Sequence, residues 1–183
     1  MKLILFAFVF GLVLLCPAMA FSQRYSTRNA FVGFYSKTAL EYIKAENNQV
    51  FAIIEPATKK LAFSLLVKGF IFAKELMQEH FNENYVESDK YPKANFTGTY
   101  TGDVDLNKDG VYKVMVKGEL NLHNVTKPVE TPATLEVKAG HLIGVTEFKA
   151  KPEDYNIPIP SIVRDKIDKD IQVKIRIDCP ITK

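Results

Sequence analysis

Apolar and polar residues alternate with a period of two along most of the chain. Between Val111 and Leu122, the residues Tyr112, Val114, Val116, Gly118, Leu120 and Leu122 share one face. Lys113, Met115, Lys117, Glu119 and Asn121 share the other. Val129 to Lys138 places Val129, Thr131, Ala133, Leu135 and Val137 opposite Glu130, Pro132, Thr134, Glu136 and Lys138. Near the C-terminus, Ile171, Val173, Ile175 and Ile177 oppose Gln172, Lys174, Arg176 and Asp178. Such alternation is the mark of antiparallel strands with one face buried and one in water. Less regular runs, rich in Phe, Tyr, Val and Ile, cover 30–36, 40–45, 50–55, 61–72, 94–101 and 142–150. Turn-forming clusters separate them at 56–60, 107–110, 124–128 and 139–140. About eight or nine sequential strands joined by short turns predict an all-β domain, an up-and-down barrel or a sandwich.

One segment departs from this rhythm. From Glu75 to Val86 the apolar residues Leu76, Met77, Phe81 and Tyr85 recur at steps of three and four, with Glu75, Glu79 and Glu83 on another side. That spacing predicts a short amphipathic helix over 75–86, lying across one mouth of the barrel. A weaker helical turn starts at Pro160, with Ile162, Val163 and Ile167 expected to face inward.

The first twenty residues read as a targeting segment. Met1-Lys2 precedes an apolar run from Leu3 to Leu15, and Ala18-Met19-Ala20 has the small-x-small form of a signal-peptide cleavage site. Cleavage there gives an exported, periplasmic or secreted chain beginning at Phe21, a single domain to Lys183. An acylated Cys16 is the alternative, although Leu15 stands where a lipoprotein signal calls for Gly or Ala. No later stretch reaches the roughly 18 apolar residues of a membrane helix. Cleavage would leave Cys179 without a partner, in step with the apolar alternation before it, so a buried small hydrophobe is expected rather than a reactive thiol.

Composition narrows the function classes. At 183 residues, 47% hydrophobic and 25% charged, the chain suits one globular domain. Its net charge of +3 is spread without a basic stripe, which disfavours nucleic acid as a partner. Asp105 to Gly110 imitates the start of a calcium loop, yet the twelfth position is Val116 instead of a bidentate acid and the neighbours read as strands. A hairpin turn is expected there. His80, His123 and His141 show no metal-ligand spacing, and no cofactor-binding motif is present. Asn95-Phe96-Thr97 and Asn124-Val125-Thr126 match the glycosylation pattern only. No nucleophile and base can be paired, so an enzyme is not expected.

Three segments resemble the signatures of the YceI-like family. They are Met77-Gln78-Glu79-His80-Phe81 through Lys90-Tyr91-Pro92-Lys93-Ala94-Asn95-Phe96, then Gly118-Glu119-Leu120-Asn121-Leu122-His123-Asn124-Val125-Thr126-Lys127-Pro128-Val129, then Lys151-Pro152-Glu153-Asp154-Tyr155-Asn156-Ile157. The resemblance spans roughly 27–180. It implies a lipocalin-like antiparallel barrel, exported, holding an isoprenoid-like lipid such as an isoprenoid quinone or a polyprenyl lipid. The early strands are shorter than the family pattern, its early His-x-x-Gly segment is absent and the loop from Pro158 to Arg164 is compact, which points to a smaller ligand or none.

An eight-stranded barrel either fills its interior with side chains or holds one small ligand. Small inward groups at Gly98, Gly118, Ala133, Gly144, Thr131 and Thr146 leave volume that Phe63, Leu65, Phe96, Tyr100, Leu120 and Phe148 would line; alternatively, the glycines mark bends. On the first view, a large side chain at Gly118 would enter the cavity. Met77, Phe81 and Tyr85 would close the barrel end from the helix. His80, one step round, would meet a ligand head group or pin the helix by a hydrogen bond. The expectation is therefore a lipid carrier, with a side-chain-filled interaction module as the alternative and the oligomeric state open.

Overall fold

The computed structural model describes residues 24–180; the expected signal segment, Cys16 and the chain start at Phe21 lie outside them. Among the described residues there are nine strands: β1 (Tyr25–Lys37), β2 (Tyr42–Glu55), β3 (Lys60–Leu66), β4 (Ile71–Phe72), β5 (Lys93–Thr101), β6 (Gly110–Leu122), β7 (Val125–Lys138), β8 (His141–Ala150) and β9 (Ile171–Pro180). Eight pair in the order β1-β9-β8-β7-β6-β5-β3-β2, and β2 returns to β1, so the sheet closes into an antiparallel barrel. The short β4 adds to β2 at Ala45 and Glu46.

Several boundaries differ from the sequence expectation. The runs at 40–45 and 50–55 are one strand, β2, whose pairing with β1 is broken by register shifts between Thr27 and Val32. Such irregularities bend a strand and let a barrel coil, and they blur the alternation there. The run at 61–72 divides into β3, a tight turn at Val67–Gly69 and β4. β7 restarts at Val125 and carries Pro128 and Pro132 inside it.

Those prolines have a structural reason. β7 pairs with β6 along its whole length, but its pairing with β8 begins only at Ala133↔Thr146. Proline cannot donate to a ladder, so it is tolerated where one side of the strand is unpaired. Threonine side chains bridge the parted strands instead: Thr131 Oγ1 donates to the Glu147 carbonyl at 3.1 Å, and Thr146 Oγ1 donates to the Pro132 carbonyl at 2.9 Å. Both threonines were expected to leave space. They close a seam.

Two hairpins turn in two residues, His123-Asn124 and Ala139-Gly140, all four with positive φ. That is the type I′ geometry whose twist matches the flanking strands. The acidic run at Asp105 connects β5 to β6 as expected of a hairpin, with Asp105 accepting from the Asn107 amide at 2.9 Å.

The inner faces divide along the barrel axis. Toward one end Tyr25, Ile54, Leu61, Tyr100, Val137, Leu142 and Cys179 are buried side by side across successive ladders. Midway, Gly98 stands opposite Gly118 on β5 and β6. A Cβ on Gly118 would come within 2.3 Å of the Thr97 carbonyl oxygen and 2.7 Å of Gly98 Cα. The pair marks a close approach of backbones, with the Phe96 ring lying over it, so neither glycine opens the interior. The hollow near Gly144 is likewise filled by Ile177 and Leu135.

Candidate functional site

Beyond the glycine pair the barrel is hollow. A partly open cavity of about 450 Å3 occupies that end, and its wall is overwhelmingly apolar. The strands supply Phe63 and Leu65 from β3, Phe96 from β5, Leu120 from β6, Phe148 from β8 and Val173 from β9. Their side chains meet because the ladders place them opposite one another: Phe63↔Phe96, Phe96↔Leu120 and Phe148↔Val173. A volume of this size falls in the range of small-molecule sites, which run from about 300 to 1,000 Å3.

Nine of the ten expected site residues line this cavity: Phe63, Leu65, Met77, His80, Phe81, Tyr85, Phe96, Leu120 and Phe148. Tyr100 does not. It lies on the far side of Gly98, buried among Val114, Val116 and Leu135, and burial raises the pKa of its phenol. Alternation gave its face correctly, but alternation carries no information about position along the barrel axis.

The expected helix is α1 (Glu75–His80), continued by one π-helical turn at Phe81–Tyr85. The wider turn keeps Phe81 and Tyr85 directed at the barrel while Asn82 Nδ2 donates to the Gln78 carbonyl at 3.0 Å. Phe81 is the anchor. Its ring centroid lies 5.2 Å from Phe34, 6.0 Å from Phe70 and 5.0 Å from Phe72, joining the helix to β1 and to the β3–β4 corner. Such aromatic pairs add to the area they bury. Phe34, Phe70 and Phe72 also line the cavity, and the sequence reading did not single them out. The Phe70-x-Phe72 spacing was the available signal.

Of the two roles expected of His80, the geometry leaves the one at the cavity mouth, and it gives His123 a structural role that the sequence did not suggest. His80 is exposed at the rim and makes no side-chain hydrogen bond among the described residues, so it does not pin the helix that way. His123 is the buried one. Its Nδ1 lies 3.0 Å from the Tyr155 carbonyl oxygen and its Nε2 lies 3.1 Å from Glu87 Oε2, while the Tyr91 ring packs against it at 4.3 Å. Each ring nitrogen faces an oxygen acceptor. His123 thus ties three mouth segments together: the β6–β7 hairpin, the chain after the helix and the 3-10 turn at Pro152–Tyr155. Behind this tie Val67, Val86, Tyr155 and Ile157 form a small second core.

The β8–β9 connection completes the mouth. After the turn at Pro152–Tyr155 it makes a second 3-10 turn at Ser161–Lys166 and is held to β1 where the Asp168 amide donates to Ser36 Oγ at 2.8 Å. Val163 and Ile167 face the cavity as expected. Ile162 does not; it is 88% exposed, because a 3-10 turn puts neighbouring positions on different sides. The charged side chains on the lining are Lys74, Glu41, Lys151 and Lys166, of which Lys74 and Glu41 pair at 2.9 Å. Among the described residues no group of histidine, cysteine and acid side chains is placed to hold a metal. Cys179 is fully buried at the packed end, and its thiol is pushed up to about 11, chiefly by desolvation and secondly by Asp178.

Comparison with known proteins bears on this geometry. The YceI-like domain model matches residues 25–179. Among solved structures, a polyisoprenoid binding domain from Saccharophagus degradans is similar with a TM-score of 0.73 and 14% identity, over 86% of this chain and 98% of that one. BcnA of Burkholderia cenocepacia is similar with a TM-score of 0.69 and 15% identity, over 81% and 95%. The Campylobacter jejuni YceI protein follows with a TM-score of 0.57 and 18% identity, over 71% and 78%. No curated protein matches the chain in sequence. At these identities the solved structures speak for the fold.

Proposed function

Because the chain belongs to the YceI-like family, we propose that it is an exported carrier holding an isoprenoid-like amphiphile in the hollow end of its barrel. The observation that carries this reading is the apolar cavity itself, continuous from Phe96 and Phe148 to the helix and the β8–β9 connection. A branched hydrocarbon tail gains by leaving water, about 25 cal/mol per Å2 of apolar surface buried. The wall around it is soft and aromatic, which suits an irregular tail, with Met77 adaptable at the mouth. The name of the Saccharophagus degradans neighbour supports the same ligand class. The tail ends where the glycine pair and Phe96 close the interior, so a short isoprenoid fits better than one threading the whole barrel.

The alternative, an interaction module with a filled barrel, describes only the packed end. Export rests on the Lys2 to Ala20 segment and on no structural observation. The test is to purify the protein from the compartment in which it matures, determine its N-terminus, extract it with organic solvent and analyse the extract by mass spectrometry. The proposal expects a chain starting near Phe21 and a stoichiometric isoprenoid. An acylated Cys16 would place the protein on a membrane, and an extract free of lipid from a folded protein would favour the filled module.

A further inference from the structure

We infer that the head group of the bound amphiphile is anionic and is held at the cavity mouth by Lys151 and Lys166, an inference that rests on the carrier reading above. The lining of the cavity is charge-sorted. Its acid, Glu41, is occupied by Lys74 at 2.9 Å. The two remaining charged side chains, Lys151 and Lys166, form no ion pair among the described residues.

The sorting is more telling because both lysines sit on one connection that is not itself basic. Residues 151–170 carry Glu153, Asp154, Asp165, Asp168 and Asp170 besides Lys151, Arg164, Lys166 and Lys169. None of those five acids lines the cavity; of the charged residues on the connection, only the two lysines do. The neighbouring surface depression, which shares Pro152, Ile157, Ile159 and Ile167 with the cavity, mixes Glu153 and Asp168 with Arg164 and Lys169. The balance of charge on the outside of the connection and the excess of cation on its inside are set by the two 3-10 turns. Lys151 stands at the N-cap of the first, Lys166 at the last position of the second.

Both lysines therefore belong to the lining at the end where an apolar tail seated among Phe96, Leu120 and Phe148 would present its polar end. Their long apolar stems cover the rim while their heads stay wet. A neutral alcohol or quinone head would leave both cations without a counter-charge, whereas a phosphate of a prenyl chain would meet both.

Calorimetric titration of the folded protein with farnesol and with farnesyl monophosphate tests this. Two exposed lysines should give the phosphate about a tenfold tighter dissociation constant than the alcohol. That ratio should shrink toward one at high salt, and also in the Lys151→Gln/Lys166→Gln double variant. Farnesol binding as tightly as its phosphate, or a phosphate advantage that survives in the double variant, would overturn the head-group assignment while leaving the carrier reading intact. Failure of both compounds to bind the folded protein would remove the carrier reading and this inference with it.

Discussion

The two ends of the barrel are built from the same strands, yet one is solid and the other hollow. At the solid end each inward position is taken by a side chain that fills its share of the interior: Tyr25 against Ile54, Val137 against Leu142, Leu142 against Cys179. At the hollow end the inner wall is formed by Phe63, Leu65, Phe96, Leu120, Phe148 and Val173, and a helix with two 3-10 turns forms the closure. The aromatic residues of that end are large but ring the wall, leaving about 450 Å3 between them. The difference teaches that residue size does not decide whether a barrel is filled. What covers the end does: the strands' own side chains fill the solid end, whereas the helix and the β8–β9 connection roof the other end without filling it.

The largest expected contrast comes from matched truncations. Ile54→Ala, at the solid end, should cost about 4 kcal/mol in urea unfolding, since a buried aliphatic leaves a cavity behind it. Leu120→Ala, on the cavity wall, should cost about 1 kcal/mol in the ligand-free protein, because Leu120 already borders open space. Its effect should appear in ligand affinity. Equal losses at the two sites would mean that the hollow end collapses on itself in solution. Next in size is Gly118→Ala, which sets a methyl group against the Thr97 carbonyl and should cost about 3 kcal/mol. The sequence expectation was that a side chain there would fill the cavity; a stable Gly118→Ala protein with reduced ligand binding would restore it.

His123→Ala should cost about 2 kcal/mol, leaving the Tyr155 carbonyl and Glu87 without their partner. Hydrogen exchange should then rise at the mouth segments around Glu87 and Tyr155 and stay unchanged in β8 and β9 near Leu142 and Cys179. A uniform rise would show that the mouth is not a separate unit. The smallest effect is alkaline. The Cys179 thiol is raised from 9.0 to about 11 in the fold, so its neutral form stabilises the protein fully below pH 9 and that stabilisation drains as pH climbs toward 11. Tyr35, pushed up to about 12 by burial and then by its bond to Glu46, acts in the same direction at higher pH. Unfolding midpoints should fall between pH 9 and 11, and Cys179→Ala should flatten that decline. A profile unaltered by the substitution would place the loss elsewhere.

Much of this architecture was legible from alternation alone. The inward faces of β6, β7 and β9 are those that the period-two pattern assigns, and the 3.6-residue spacing from Glu75 located the helix. What alternation cannot carry is position along the axis, which is why Tyr100 was grouped with Phe96 although the glycine pair stands between them. Register shifts hid the continuity of β2, because a bulge inverts the pattern on either side of it. His123 escaped notice for another reason: its partners, Glu87 and Tyr155, are remote in sequence and meet only when three mouth segments fold together. The Phe34, Phe70 and Phe72 contacts to Phe81 share that origin.

The division between a solid and a ligand-holding end is tested most directly by methyl and aromatic NMR spectra recorded while farnesol or farnesyl monophosphate is added. The account predicts saturable shifts at Phe63, Phe96, Leu120, Phe148 and Val173, with Ile54, Val137 and Leu142 unmoved. Shifts centred on Ile54, Val137 and Leu142, or confined to the barrel exterior, would contradict it.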